Sequence, residues 1–133
     1  MKVVVAPNAF KGSLSASQAA AAIARGVRQV FPEADIVEVP VADGGDGTAE
    51  ALVSAHDGTF QTVKVEGPLG DPITAAYGLI DGGRTGVVEL ASSSGLALIS
   101  PDRRDARRAS TYGFGQLLQI VTFLIERHDR RDA

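Results

Sequence analysis

A chain of 133 residues with 44% hydrophobic content is long enough for one ordinary domain with a core, and too short for the two full domains that many small-molecule enzymes use. Charged residues at 22% argue against disorder, and the absence of cysteine excludes a disulfide framework, a thiolate metal site and a cysteine nucleophile. The net charge of −3 is uneven: residues 1–102 carry 6 basic and 12 acidic side chains, whereas residues 103–133 carry 7 and 4.

The chain starts with a valine-rich run, Lys2 to Ala6, of the kind expected for a strand covered on both faces in a parallel sheet. Pro7 ends it, which also leaves the apolar run far shorter than a signal peptide needs, and no stretch approaches the roughly 20 apolar residues that span a bilayer. A cytoplasmic chain is the expectation. After a polar loop, Ser15 with Gln18 three positions later forms a capping-box pattern ahead of a helix over Ala16 to Val30, with Ile23, Val27 and Val30 on one face. Asp35 to Pro40 reads as a second strand and Thr48 to Ala55 as a short helix stopping before His56-Asp57-Gly58. Strand, helix, strand, helix is the pattern of a doubly wound parallel sheet.

Beyond Gly58 the pattern changes. Thr59 to Glu66 alternates, Ile73 to Ile80 is another strand, Asp81-Gly82-Gly83 is a hairpin-type turn, and Gly86 to Ala91 is a further strand. Strands in succession without helices predict mixed or antiparallel pairing and a boundary near Gly58. A final helix is expected over Gln116 to Arg127, followed by a charged terminus.

No P-loop motif is present, and neither Gly44-Gly45-Asp46-Gly47 nor Gly113-Phe114-Gly115 completes a dinucleotide fingerprint. The loops after the first two strands carry more. In open α/β sheets ligands sit at the carboxyl ends of strands, where helix N-termini offer free N–H groups. Asn8 to Ser15 adds Lys11, one of three lysines in the chain, together with Gly12 and Ser13, and reads either as an anion site or as a capped helix with a solvated lysine. Asp43-Gly44-Gly45-Asp46-Gly47 can approach a ligand closely, accept from hydroxyls or hold Mg²⁺; equally, Asp46 can cap the next helix and the glycines make a tight turn. One rim with cationic and anionic groups suits a small polyhydroxy acid. Glu89, read as a strand end beside Ser92-Ser93-Ser94, is either an acid/base group or a solvated residue. His56 and His128 lack a neighbouring nucleophile or metal-ligand spacing, and Arg103, Arg104, Arg107 and Arg108 lack the interleaved aromatics of a nucleic-acid site, so a solvated loop or short helix is expected there.

Five segments, APNAFKGSLSA, VADGGDGT, GPLGDPITAAYGLI, VVELASSSGLALI and STYGFGQLL, stand in the order and spacing of the N-terminal region of bacterial type I glycerate kinases. From Met1 to about Leu118 the chain resembles that family. The resemblance implies ATP-dependent phosphorylation of D-glycerate to 2-phosphoglycerate with Mg²⁺. It also implies two α/β domains around a cleft, a flavodoxin-like domain supplied by both chain ends and a second domain inserted within it. On that basis residues 1–58 begin a flavodoxin-like parallel sheet and residues 59–133 begin the second, mixed α/β domain. Carried over by motif, Lys11, Asp43 and Asp46 are the catalytic candidates. Asn8, Gly12, Ser13, Gly44, Gly45, Glu89 and Ser94 are the substrate-binding candidates, and no metal ligand is assigned. Asn8-Ala9 stands where the family commonly has Asp-Ser, which removes a carboxylate, and Phe114 stands where a smaller residue is usual. Family members are much longer and contain a later Gly- and Ser-rich motif followed by Asn-Asp-Gly, so this chain alone is expected to have little or no kinase activity. The expected partners are D-glycerate and ATP, with neither nucleic acid nor membrane, and with self-association or a separately encoded C-terminal half to complete it. The alternative is a non-catalytic α/β module that binds a small acidic metabolite.

Overall fold

In the computed structural model, which describes residues 1–10 and 12–130, Lys2–Val5 (β1) pairs in parallel with Asp35–Glu38 (β2), Val3 facing Ile36 and Val4 facing Val37. The crossover between them is Ala16–Val30 (α1). Its start is fixed by the predicted capping box: the Gln18 N–H donates to Ser15 Oγ at 3.3 Å, and the Ser15 N–H donates to Gln18 Oε1 at 3.0 Å. Each bond satisfies a donor that the first helical turn would otherwise leave unpaired. Ser15→Ala is expected to lower stability by about 1 kcal/mol, measurable as a shift in the urea midpoint at unchanged slope.

The helix buries a different stripe from the one its large apolar residues suggest. Ala16, Ala19, Ala20 and Ala24 are buried, whereas Ile23 and Val30 are 43% and 69% exposed. Small side chains at i, i+3, i+4 and i+8 bring the helix close to a two-stranded sheet, and this places the bulkier residues on the outer side. The sheet is covered on one face only: Val5 is buried and Val4 is 61% exposed. The expectation of a strand covered on both faces is not met, because the described residues supply one helix and two strands to this sheet. Thr48–Ala55 (α2) follows where predicted.

The chain divides into two compact units, Met1–Ala51 and Leu52–Ala133. In the second, Thr59–Glu66 (β3), Pro72–Ile80 (β4) and Thr85–Val87 (β5) form an antiparallel sheet in the order β3-β4-β5. The turn from β4 to β5 runs through Asp81, Gly82 and Gly83, all at positive φ, as its glycine-rich sequence foretold. Val65, Ala75 and Tyr77 on one face of the sheet pack with Leu117 and Val121 of the last helix, Tyr112–Asp129 (α4). The whole is a mixed α/β architecture with one parallel and one antiparallel sheet.

Two elements depart from expectation. β5 stops at Val87, so Glu89 lies two residues beyond the strand, ahead of a single turn of helix at Ala91–Ser94 (α3). α4 begins at Tyr112 rather than Gln116 and includes Gly113 and Gly115. Gly113 is there for packing: it lies against the Glu66 carbonyl so closely that a Cβ would overlap it. The Glu66 N–H donates to Gln116 Oε1 at 2.8 Å in the same contact.

Candidate active site

In the first unit the β1–β2 pairing continues past the strand ends. The Val39 N–H donates to the Val5 carbonyl at 2.8 Å, and the Val41 N–H to the Pro7 carbonyl at 3.0 Å. This extension holds the loops that follow β1 and β2 side by side, and between them lies a cavity of about 590 Å³. Asn8, Gly12, Ser13 and Ser15 line it from the first loop; Asp43, Gly45, Asp46 and Gly47 line it from the second, with Glu50 from α2. The cavity lies at the carboxyl ends of the parallel strands and beside the N-terminus of α1, where ligands of open α/β sheets bind.

Each loop is shaped by its own hydrogen bonds. Phe10 and Leu14 exchange N–H to carbonyl bonds of 2.9 and 3.2 Å, closing a small loop in which Gly12 has φ of +75°. Ser13 Oγ donates to the Phe10 carbonyl at 3.2 Å. The Asn8 side-chain oxygen accepts from the Ala9 N–H at 2.7 Å. In the second loop Asp43 Oδ1 accepts from the Gly45 N–H at 3.1 Å, and Thr48 Oγ1 donates to the Gly45 carbonyl at 2.8 Å. Gly44 and Gly47, at φ of +92° and +90°, take left-handed conformations that a side chain would strain. Asp43 thus braces the turn, while Asp46 is exposed at the cavity.

Of the sequence-predicted residues, Asn8, Gly12, Ser13, Asp43, Gly45 and Asp46 line one cavity. Gly44 belongs to the same loop but does not line it. Lys11 lies outside the described residues. Glu89 and Ser94 are in the second unit, half-buried, where Ser92 Oγ donates to the Glu89 carbonyl at 2.8 Å. The hydroxyls of Ser93 and Ser94 are buried there without a hydrogen-bond partner. Glu50 was missed from sequence. No signal in the sequence marks it, because Asp46 precedes the helix and the left-handed Gly47 stands between the two.

His56 and His128 line a separate groove of the second unit, and among the described residues no group of three or more His, Asp or Glu side chains could hold a metal ion. The arginine cluster is a surface turn: Arg103 pairs with Asp71 at 2.6 Å and Arg107 with Asp105 at 3.3 Å. The Arg107 backbone N–H, then its guanidinium, hold the Asp105 carboxyl below the usual carboxylate range. No helix among the described residues is long and apolar enough to cross a membrane.

The glycerate kinase family model matches residues 3–123. The chain therefore belongs to the glycerate kinase family, and the match runs a few residues past Leu118, further along α4. It is 48% identical over 118 residues to a glycerate kinase of Bacillus subtilis and 45% identical over 118 residues to glycerate 2-kinase of Escherichia coli. Each alignment covers 89% of this chain and 31% of the relative. A solved Salmonella typhimurium LT2 structure assigned as glycerate kinase 2 superposes with a TM-score of 0.76 at 42% identity, covering 93% of this chain and 33% of that one. The chain spans about 31% of the length of the curated relatives it matches.

Proposed function

We propose that this chain carries the glycerate-side loops of a kinase that transfers a phosphoryl group from ATP to D-glycerate, giving 2-phosphoglycerate. The observation that carries the proposal is the meeting of the Asn8–Ser15 and Asp43–Gly47 loops in one cavity at the carboxyl ends of β1 and β2. In this assignment Lys11 and the N-terminus of α1 neutralise the substrate carboxylate or the transferring phosphoryl group, and Asp46 receives a substrate hydroxyl. Asn8, Gly12, Ser13, Gly44 and Gly45 shape the cradle around them; Glu89 and Ser94 are proposed, separately, as substrate-binding residues. We further assign residues 1–58 to a flavodoxin-like domain and residues 59–133 to a domain inserted in it.

Mg²⁺ takes one or two carboxylates and completes its shell with phosphate and water. The cavity fits that mode, with Asp46, backed by Asp43, as the holding residue. When bound, the ion supplies neutralisation of the charge on the transferring group. The protein's own share is positioning: a cradle braced by the Phe10–Leu14 and Asp43–Gly45 bonds presents its groups without rearrangement.

A coupled assay of the purified chain with D-glycerate and Mg-ATP, beside calorimetric titration with D-glycerate alone, tests the two halves of the proposal. Binding of D-glycerate is expected, with turnover well below the roughly 10 s⁻¹ typical of enzymes. Absence of binding would remove the cavity as the glycerate site. Binding of glycerate with no phosphoryl transfer, alone or beside any second polypeptide, is the outcome that would favour a non-catalytic acid-binding module.

A further inference from the structure

Three carboxylates line the cavity, and they are not equivalent. Asp43 and Asp46 are exposed, and Asp43 is already engaged by the Gly45 N–H. Glu50 is half-buried and is carried by the first turn of α2. That turn is tied back to the loop by the Ala51 N–H to the Gly47 carbonyl at 3.0 Å, and by both bonds of Thr48 to the Gly45 carbonyl. Among the described residues the Glu50 carboxylate has no hydrogen-bond or ion-pair partner. Its carboxylate stays open to the cavity, where solvent satisfies it in the free protein and the hydroxyls of a ligand can take the place of that solvent. An ionised carboxylate only accepts. A hydroxy acid in the cavity brings hydroxyls that can donate and a carboxylate that Glu50 repels. Repulsion of that kind would favour a pose with the acid end away from α2 and a hydroxyl presented to Glu50.

We infer that Glu50 is a specificity-determining residue that accepts a hydrogen bond from a hydroxyl of the bound hydroxy acid. This rests on the assignment of the cavity to D-glycerate. The test is calorimetric titration of the full 133-residue chain and of Glu50→Gln with three acids. These are D-glycerate, D-lactate, which lacks the 3-hydroxyl, and 3-hydroxypropanoate, which lacks the 2-hydroxyl. Glu50→Gln is expected to weaken D-glycerate by about tenfold or more, and the analogue lacking the contacted hydroxyl by less than about twofold. Glu50→Asp, which keeps the charge but withdraws it by one methylene, is expected to show the same selective loss at an unchanged melting temperature. A carboxylate that acted only as a nearby negative charge would do the opposite, because its removal would tighten all three acids. Uniform tightening, a uniform loss across the three, or no change overturns the role of Glu50 while leaving the glycerate assignment standing. If the wild-type chain binds D-glycerate no better than either analogue, the assignment itself falls, and Glu50 falls with it.

Discussion

Gly113→Ala is expected to destabilise the second unit by about 3 kcal/mol or more and to lower its Tm by more than about 10 °C. Overpacking usually costs less, because a flexible side chain can move away. Here the added methyl would meet the backbone carbonyl of Glu66 in β3, which is held in register by eight paired positions with β4. Relief requires α4 to withdraw from the sheet, and that opens the packing of Leu117 and Val121 against Val65, Ala75 and Tyr77. The change also breaks the Gln116–Glu66 bond. Thermal unfolding followed by circular dichroism measures it, and a Tm within about 2 °C of wild type would contradict so close a helix–sheet contact.

Lys11→Met is expected to reduce affinity for D-glycerate by tenfold or more, since a hydrogen bond between charged groups contributes about 1.5–3 kcal/mol. The substitution keeps the length of the aliphatic stem and removes the charge. The neighbours of Lys11 give the prediction its direction: they close a loop through the Phe10–Leu14 bonds, beside the N-terminus of α1 and along the cavity wall. Titration of wild type and variant at two ionic strengths separates the charge contribution from a local structural one. A salt-dependent loss supports the assignment, and unchanged affinity removes Lys11 from it.

What could be read in advance follows from the range of the forces involved. The capping box, the positive-φ turn at Asp81–Gly83 and the alternation along β3 are set by residues within a few positions of one another, and each stands where the sequence put it. The cradle was legible for the same reason: two glycine-rich loops after two short strands obey a placement rule for open sheets. Long-range contacts were not legible. The early start of α4 was not foreseen because the place of Gly113 is fixed by a carbonyl 47 positions earlier in the chain, and the alanine stripe of α1 was hidden by larger apolar residues on its outer side. Glu50 escaped notice because a single glutamate in a helix has no local signature. Only the folded loop shows that it faces the same space as Asp46.

The one-sided sheet of the first unit has a thermodynamic consequence. Among the described residues its buried apolar side chains are Val5 and five alanines, whereas the second unit buries Leu117, Tyr77, Ile80, Ile99 and three valines. Apolar burial contributes in proportion to area, so the loops of the cradle are anchored to the less stabilised of the two units. A ligand that binds the cradle only when that unit is folded adds RT ln(1 + [L]/Kd) to its stability, about 2.7 kcal/mol at a hundredfold excess over Kd. In such a unit recognition and folding are coupled equilibria, and the concentration of a cradle-binding ligand would set how much of the time the β1–β2 ladder is intact.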